Sequence, residues 1–361
     1  MPRAFGLIAG AVALLACAVP ASGSTRPAEP RASATGAARA VPDSSGTDTI
    51  DAYNRGRRYT HWLFASDFDS LSARMSPAVL RAVGGGDGLT QLRQRLAAKA
   101  GEETAVVSEH IYREPGAVEY YRVSRFAATP DTTWTTRWAW TPDDTIVALS
   151  LTITPAPAPS AYLGYDTKTD LHLLLATPPG TLWYVGWGGR TVQQNYHAIA
   201  SDQRFAYDFV LTKGGAAHSG SGAQNTDFYC FGTPVLAPAS GRVTIAVDSV
   251  NDNVPGIVNR ATPPGNYVVI DHGHGEFSLI AHFRRGSVRV RPGEQVRTGQ
   301  QLGECGNSGN ATLPHVHYHL QTGPDYKDGV GLPAFFNSYI ANGRPVTRGE
   351  PVRGQYIQPS Q

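Results

Sequence analysis

The sequence predicts an α+β domain followed by a larger, mainly antiparallel β domain. Apolar residues recur every three or four positions through residues 51–101 and then alternate through residues 104–155, a pattern typical of helices followed by strands. From residue 165 onward, short alternating stretches are separated by Gly and Pro-Gly turns, as in a β domain. The 39 Gly and 26 Pro among 361 residues also favour a turn-rich β protein over a helical bundle.

The first 23 residues, "MPRAFGLIAGAVALLACAVPASG", have the layout of an export signal: one early cation, an apolar run and small residues. "LLAC" resembles a bacterial lipoprotein signal, in which Cys17 would be lipidated and anchor the protein to a membrane. Cleavage near Ala21 or Gly23 would instead release a soluble protein, and both outcomes stay open. Either one predicts a periplasmic or extracellular protein. No later apolar run is long enough to span a bilayer.

The remaining organisation follows from composition. Residues 24–47 are rich in Ala, Pro, Ser and Gly and are predicted to be a disordered linker. The further expected boundaries are an accessory α+β domain at 48–155, a Pro/Ala linker at 156–164, the β domain at 165–345 and a tail at 346–361. The one helix expected in the β domain lies in "LPAFFNSYI".

The accessory domain combines the helix "FASDFDSLSARMSPAVLRAV" with a run of strands. This arrangement resembles the cystatin-like or SnoaL-like α+β domains found beside exported enzymes. Trp134, Trp138 and Trp140 alternate along one predicted strand and are interpreted as packing residues rather than a ligand platform. Since no residue here looks catalytic, the domain is interpreted as a positioning or binding module.

Charge and cysteine content limit the function further. The chain has 31 Lys and Arg against 29 Asp and Glu, a net charge of +2, so electrostatics give no reason to expect nucleic-acid binding. Cys230 and Cys305 are hypothesised to form a disulfide, because the mature chain is expected in an oxidising compartment. The alternative is two buried free thiols, and neither cysteine has a partner at zinc-finger spacing.

The stretch "LPHVHYHL" places His315, His317 and His319 at every second position. In a β-strand, residues two apart lie on the same face. The spacing therefore predicts either a polar stripe or part of a metal site, and this stretch alone does not decide between them.

Three segments of the β domain carry a resemblance: "NYHAIASDQRFAYDFV", "IDHGHGEFSLIAHF" and "GNSGNATLPHVHYHLQ". With "GTPVLAPASGRV" and "AHFRRGSVRVRPGEQVRTGQQLG" in the same order, they resemble the lysostaphin/LytM family of zinc metallopeptidases, which cut peptide cross-links of bacterial cell walls. The resemblance covers roughly residues 165–345 and implies a fold of the β-sandwich-hybrid type. It implies one zinc ion per chain, with His197, Asp208 and His317 as ligands. It also implies that His282 and His315 are catalytic and that the partners are peptidoglycan stem or bridge peptides.

The residue types suit this chemistry. A catalytic zinc has three protein ligands and leaves the fourth position to water, whose pKa it lowers to about 7. His315 and His317 would have Cα atoms ~6.6 Å apart on one strand face, so that one binds metal while the other acts as general base. His282 ends a strand whose facing positions include Ser278 and Ile280, and is expected to donate to the oxyanion.

Other histidines and carboxylates remain as alternatives. Ten residues separate His197 from Asp208, more than the three usual in the family, so His218 is kept as a substitute ligand and Asp202 as a reserve carboxylate. His272 and His274 are expected to make turn hydrogen bonds at a hairpin tip. His319 is expected to orient the strand or a ligand, at a position where the family often has Glu or His.

Three classes of function compete. The leading hypothesis is a zinc endopeptidase that hydrolyses peptidoglycan cross-links. The alternative, an inactive LytM-like protein that binds the wall or activates amidases, is disfavoured because every expected site position is filled. A biotinyl- or lipoyl-type carrier is rejected, because neither Lys213 nor Lys327, nor Lys168 at the edge of the β domain, is placed at a tight hairpin tip.

Overall fold

The computed structural model describes residues 46–360. The expected export signal, the lipidation site at Cys17 and residues 24–45 of the expected linker therefore lie outside the described residues. Across residues 46–360, none of the helices is both long and apolar enough to cross a membrane. The described chain divides into two compact units: residues 46–111 and 117–154 form the first, and residues 112–116 and 155–360 form the second.

The first unit contains four helices followed by a four-stranded antiparallel sheet. The helices are α1 (Gly46–Phe64), α2 (Phe68–Ser72), α3 (Pro77–Val83) and α4 (Gly85–Ala100); the strands are β1 (Glu103–Glu114), β2 (Ala117–Phe126), β3 (Thr129–Trp140) and β4 (Ile146–Ile153), in that order across the sheet. The side chain of Ser76 caps α3 by accepting from the amide of Val79. Gly84 ends α3 in the left-handed conformation at φ 85°, which glycine adopts at little cost.

The core of this unit is aromatic. Trp138 and Trp140 are buried against Tyr59, with ring centroids 5.7 and 5.6 Å away. The Trp138 indole donates to the hydroxyl of Thr60 over 3.0 Å, and Trp134 is buried in a neighbouring cluster. The prediction that these three tryptophans are packing residues is confirmed.

The second unit is built almost entirely of antiparallel strands, so the prediction of a mainly antiparallel β domain is confirmed. Its strands are β5 (Leu182–Trp187), β6 (Tyr207–Thr212), β7 (Pro234–Leu236), β8 (Gly241–Val247), β9 (Asn266–Asp271), β10 (Phe277–Phe283), β11 (Gln295–Val296), β12 (Gln301–Glu304), β13 (Val316–Gln321), β14 (Gly331–Leu332), β15 (Phe336–Ala341), β16 (Arg344–Gly349) and β17 (Tyr356–Pro359). The large sheet has the order β11-β8-β9-β10-β13-β6-β5-β17-β15-β16, with β14 also paired to β13, while β7 and β12 pair separately. Two short 3₁₀ turns cover Tyr196–Ile199 and Asn225–Asp227.

The helix expected in "LPAFFNSYI" is wrong, because these residues include strand β15. Phe336 and Tyr339, three positions apart, are both buried, a spacing that imitates a helix. Ser338 between them has a φ of 49°; it has no β16 partner, although the register with β16 is the same before and after it. This left-handed residue interrupts the regular alternation, and both rings lie in the core.

The residues expected to form a tail, 346–361, include strand β17. This strand lies between β5 and β15 in the sheet, and Ile357 at its centre is fully buried. Because β17 pairs with a strand on each side and buries an apolar residue, this segment is part of the sheet and the core rather than a free tail.

A disulfide and a buried hydrogen-bonded carboxylate connect distant parts of this unit. A disulfide joins Cys230 to Cys305, which confirms the hypothesised bridge. Glu276 opens the β10 side of the β9–β10 hairpin and is fully buried. Its carboxylate accepts from the Tyr165 hydroxyl and from the amides of Lys168 and Thr169 at 2.7–2.8 Å. The start of the unit is therefore fastened to the hairpin.

Candidate metal centre

Strand β13 carries His317 and His319 at the centre of the large sheet, and His315 immediately precedes it. It pairs with β6 on one side and β10 on the other, so that His317 lies opposite both Asp208 and Ala281. The intervening residues Val316 and Tyr318 face the hydrophobic core. The alternation expected from the sequence therefore aims His315, His317 and His319 to the side of the sheet that faces away from this core.

His197, Asp208 and His317 converge on one point. One potential ligand atom from each lies within 4.8 Å of the other two, and all three side chains are buried. The Nδ1 atom of His317 is 2.9 Å from Oδ1 of Asp208, and Nε2 of His197 is 3.7 Å from Oδ2. Two imidazoles and one carboxylate form a donor set that suits zinc, so the residues fit a bound metal ion.

His197 reaches this point from the short 3₁₀ turn Tyr196–Ile199. Asn195 precedes the turn and caps it by accepting from the amide of His197. The side-chain nitrogen of Asn195 donates to the carbonyl of Ala206 over 2.9 Å. This contact folds the ten-residue loop back on itself and brings His197 beside Asp208.

Asn195 is a site residue that was not predicted from the sequence. The available signal was an Asn immediately before a short turn, the usual N-cap position.

Tyr196, next along the chain, is 43% exposed and lies against the His197 ring, with centroids 4.0 Å apart.

The two substitute ligands are located elsewhere. His218 packs on Phe228 in a separate loop, with ring centroids 5.1 Å apart. Asp202 accepts a hydrogen bond from the side chain of the neighbouring Gln203. The structure therefore brings His197, rather than His218, to Asp208 and His317.

His282 reaches the cluster through an irregularity at the end of β10. Regular alternation would place it with Ser278 and Ile280, as the sequence analysis expected, and that expectation is wrong. A register shift occurs between Ala281 and Phe283, and His282 has a φ of 65°. The bulge turns the imidazole to the metal face, where its ring centroid lies 4.8 Å from that of His315.

His282 and His315 are oriented in the same way. The Nδ1 atom of His282 is 2.7 Å from the carbonyl of Ser308, and that of His315 is 2.8 Å from the carbonyl of Leu313. A carbonyl only accepts, so Nδ1 carries the proton in both rings. In each ring Nε2 is therefore the nitrogen that can interact with the His197–Asp208–His317 cluster. The Nε2 atom of His315 lies 3.6 Å from Oδ1 of Asp208.

Burial and the Asp208 charge shift the pKa values of these groups in different directions. Burial would raise the pKa of Asp208, but the surrounding histidines, His197 first, hold it well below its ordinary value. Burial lowers the pKa of His197 to about 3 and that of His282 well below its usual range. In His315 burial is outweighed by the charge of Asp208, which raises the pKa. The centre therefore holds one carboxylate among mostly neutral imidazoles, as metal ligation requires.

The remaining histidines support the sheet. His319 lies 3.0 Å from His317, Nδ1 to Nε2, and 2.8 Å from the side-chain oxygen of Gln321, while burial lowers its pKa to about 3. His272 contacts the carbonyl of Ser240 and the hydroxyl of Ser278 at 2.8 and 2.7 Å. His274 occupies the hairpin tip with a φ of 59°. Gln321 was not recognised in the sequence, where it continues the alternation of "HVHYHLQ".

An antiparallel sheet that holds a buried His–Asp–His cluster beside two further histidines has the design of a mononuclear metal-dependent hydrolase. The model of peptidase family M23 matches residues 222–329. The chain therefore carries a peptidase family M23 domain, and the recognised lysostaphin/LytM type is confirmed. The matched segment contains His282, His315 and His317, whereas His197 and Asp208 precede it and join the site through the fold.

Known proteins give similar matches. The peptidoglycan DD-endopeptidase ShyA of Vibrio cholerae is 36% identical over 112 residues, covering 30% of this chain and 21% of that protein. The cell division protein DipM of Caulobacter vibrioides is 27% identical over 217 residues, covering 55% of this chain and 32% of that protein. The chain thus spans between about a fifth and a third of the length of these relatives.

Among solved structures, the catalytic domain of lysostaphin from Staphylococcus simulans aligns with 41% of this chain and 86% of its own length, at 21% identity and a TM-score of 0.26.

Proposed function

We propose that this protein is a zinc-dependent endopeptidase that hydrolyses peptide cross-links of bacterial peptidoglycan. The observation that carries the proposal is the buried cluster of His197, Asp208 and His317, flanked by two histidines that each turn one nitrogen toward it. The naming of a matched relative as a peptidoglycan DD-endopeptidase supports the substrate class.

His197, Asp208 and His317 would hold one zinc ion per chain. Bound zinc supplies a water of lowered pKa and polarises the scissile carbonyl. The Nε2 atom of His315, free of its own backbone contact, is placed to accept a proton from the attacking water. The Nε2 atom of His282 faces the same space, where the negative charge that develops on the scissile carbonyl oxygen would favour the protonated ring and let it donate to that oxygen.

An inactive protein that binds the wall or activates amidases is the second candidate. Such a protein would need no complete set of ligands and proton-transfer groups. Here all five histidine and aspartate positions are filled, and the bulge at His282 holds a non-glycine residue in a left-handed conformation. Strained residues cluster at functional sites, and this one turns its imidazole to the proposed ligands, which favours the active enzyme.

Export of the chain to the periplasm or the cell exterior belongs to the same proposal, since peptidoglycan lies outside the cytoplasm. The mass of the mature N-terminus tests it. Cleavage before Cys17 with added lipid would show an anchored protein, and cleavage near Ala21 or Gly23 would show a soluble one. An uncleaved N-terminus in cells that express the protein would contradict export.

We further propose that residues 48–155 form an α+β accessory domain of the cystatin-like or SnoaL-like type, which positions the enzyme or binds its substrate. The expected boundary is testable: a shortened chain that begins near Ala161 should fold and bind zinc. An insoluble or metal-free product, from a protein whose full chain binds zinc, would show the boundary to be wrong.

Two neighbouring histidines test the enzymatic proposal. His317→Ala removes a ligand, so zinc content and activity should both be lost. His315→Ala keeps the ligands, so zinc should stay near one per chain while turnover falls by ~10²–10⁴. Metal analysis and digestion of defined muropeptides, with fragments identified by mass, measure both. If both variants keep zinc and full activity, the proposed function fails.

A further inference from the structure

The two imidazoles in the cluster face Asp208 with different nitrogens. His197 presents Nε2 and His317 presents Nδ1. A neutral imidazole carries one proton, and only the bare nitrogen can bind a metal. The two rings must therefore be held in opposite tautomers, and the structure shows what holds them.

Asn195 determines the tautomer of His197. The amide nitrogen of Asn195 lies 2.9 Å from the carbonyl of Ala206 and 3.2 Å from that of Gly189. Because both partners only accept, the side-chain oxygen of Asn195 must face the other way. It lies 2.9 Å from Nδ1 of His197, so the proton sits on Nδ1 and Nε2 is bare.

Gln321 determines the tautomer of His317 through one intermediate ring. The amide nitrogen of Gln321 lies 2.6 Å from the carbonyl of Gly323 and 3.3 Å from that of Asp325. Its oxygen therefore accepts from Nε2 of His319 at 2.8 Å, which leaves Nδ1 of His319 bare. That atom accepts from Nε2 of His317 at 3.0 Å. The proton of His317 is thus on Nε2, and Nδ1 is bare.

Burial leaves no other partner for these groups. Asn195 and Gln321 are fully buried and His319 is 2% exposed, so water cannot replace a mismatched contact without a large cost. The loop that follows β13 packs closely on Gln321. A Cβ at Gly329 in this loop would lie 2.7 Å from the side-chain amide of Gln321. Glycine at this position lets the loop close over the amide.

We propose that Asn195 and Gln321 are positioning residues of the metal centre, and that Gln321 acts through His319. They fix His197 and His317 in opposite tautomers, so that two nitrogen lone pairs and one carboxylate converge, an arrangement that only a cation satisfies. The relay from His317 ends on an amide and not on a carboxylate, so it orients the ligand without adding negative charge. This inference rests on the proposed metal site.

Matched variants at position 319 test the direction of the relay. In His319→Gln, the new side chain can still accept from His317 with its oxygen and donate to Gln321 with its nitrogen. His319→Leu can do neither. We expect zinc affinity to fall by ~10–100-fold in His319→Leu and Gln321→Leu, and to stay within about threefold of the original in His319→Gln. Competition with a chromophoric zinc chelator measures the affinities.

Tyr318→Phe is the control, because it loses a hydrogen bond from the same strand on the opposite face. It should leave zinc affinity unchanged. If His319→Leu and Gln321→Leu bind zinc as tightly as the original chain, the relay has no role in the metal centre. If Tyr318→Phe loses as much affinity as they do, general loosening of the strand explains the effect and the inference is overturned.

Nitrogen NMR tests the tautomers without any substitution. In zinc-loaded protein labelled with ¹⁵N-histidine, long-range proton–nitrogen spectra should show the proton of His319 on Nε2 and that of His197 on Nδ1. A His319 proton on Nδ1 would overturn the inference. Failure of the proposed function would be seen differently: the original chain would bind no zinc, or His317→Ala would bind zinc equally well.

Discussion

Strand β13 and the end of strand β10 both deliver histidines to the same face of the sheet, but with different backbones. In β13 the delivery is regular, since His315 and His317 are two positions apart and the strand keeps its pairing with β6 and β10. In β10 it depends on one left-handed residue, His282 itself, which is left unpaired between Ala281 and Phe283 in the ladder with β9. Ala281 and His282 consequently lie on one face although they are adjacent.

The difference has an energetic meaning. A regular strand orients its side chains without backbone strain, and other residue types can be substituted there without introducing strain. A non-glycine residue at positive φ costs of order 1–3 kcal/mol, which the surrounding structure must outweigh. Here the amide of His282 donates to the carbonyl of Pro264, and its carbonyl accepts from the amide of Gly306. The loops that flank β10 therefore determine where His282 points, whereas regular strand geometry orients the histidines of β13.

The largest expected effect comes from removing the imidazole at the bulge while keeping the bulge. His282→Gly should fit the backbone, because glycine tolerates positive φ. Zinc content should stay unchanged, and turnover should fall by ~10²–10³, the scale for losing one oxyanion donor. His282→Asn, which also tolerates this conformation, is the matched variant and should behave alike. Loss of zinc in either variant would show that β10 and β13 are not independent.

Loss of the disulfide should affect the bulge more than the regular strand. Cys305 pairs with Phe283, immediately after His282. Replacing Cys230 and Cys305 with Ala should lower the free energy of unfolding by ~2–4 kcal/mol, as measured by chemical denaturation. Turnover should fall while zinc affinity changes little. An affinity loss as large as the turnover loss would contradict the distinction between the two strands.

The opposite end of β10 can be tested through pH. Burial would raise the pKa of Glu276, but the hydrogen bonds from Lys168 and Thr169 outweigh burial and hold the pKa below its ordinary value. The carboxylate therefore stabilises the fold above pH ~4.3, and this contribution is lost as the pH falls further. Glu276→Gln should unfold more easily at pH 7, by about 1–3 kcal/mol.

Denaturation curves at pH 7 and in mild acid check this prediction. Because Gln does not titrate, the difference between Glu276→Gln and the original chain should narrow as the pH falls. A difference that stays constant across this range would show that the charge of Glu276 is irrelevant to stability.

The smallest effect is expected on the core face of β13. The Tyr318 hydroxyl lies 3.0 Å from that of Ser278, deep in the sheet. Tyr318→Phe should cost about 1 kcal/mol of stability, measured by denaturation, with zinc content and turnover unchanged. A fall in turnover without a fall in stability would mean that the two faces of the strand are coupled.

The same contrast explains how far the sequence could be interpreted. The alternation of His315, His317 and His319 follows from strand geometry alone, and the structure agrees with it. His282 was assigned to the wrong face because a single left-handed residue leaves no trace in hydrophobic periodicity. The helix expected at Phe336 and Tyr339 failed for the same reason, since Ser338 interrupts the alternation.

Two other features could not be predicted because they depend on contacts between distant segments. Asn195 acts on His197 through carbonyls of Gly189 and Ala206, and Gln321 acts through carbonyls of a later loop. Backbone carbonyls are present at every position, so no residue type marks the ones that matter. The expected disulfide, in contrast, needed only the export signal and an even count of cysteines.

The position of β6 in the sheet has a consequence for dividing or exchanging this domain. β6 is the hydrogen-bonded neighbour of β13 and carries Asp208, yet it precedes the segment 222–329 that the M23 family model matches. A chain cut at those limits would lack two of the three proposed ligands. It would also present the unpaired edge of β13, a surface that favours aggregation. Grafting that segment onto another M23 scaffold would therefore transfer the proton-transfer histidines while the host supplied most of the metal ligands.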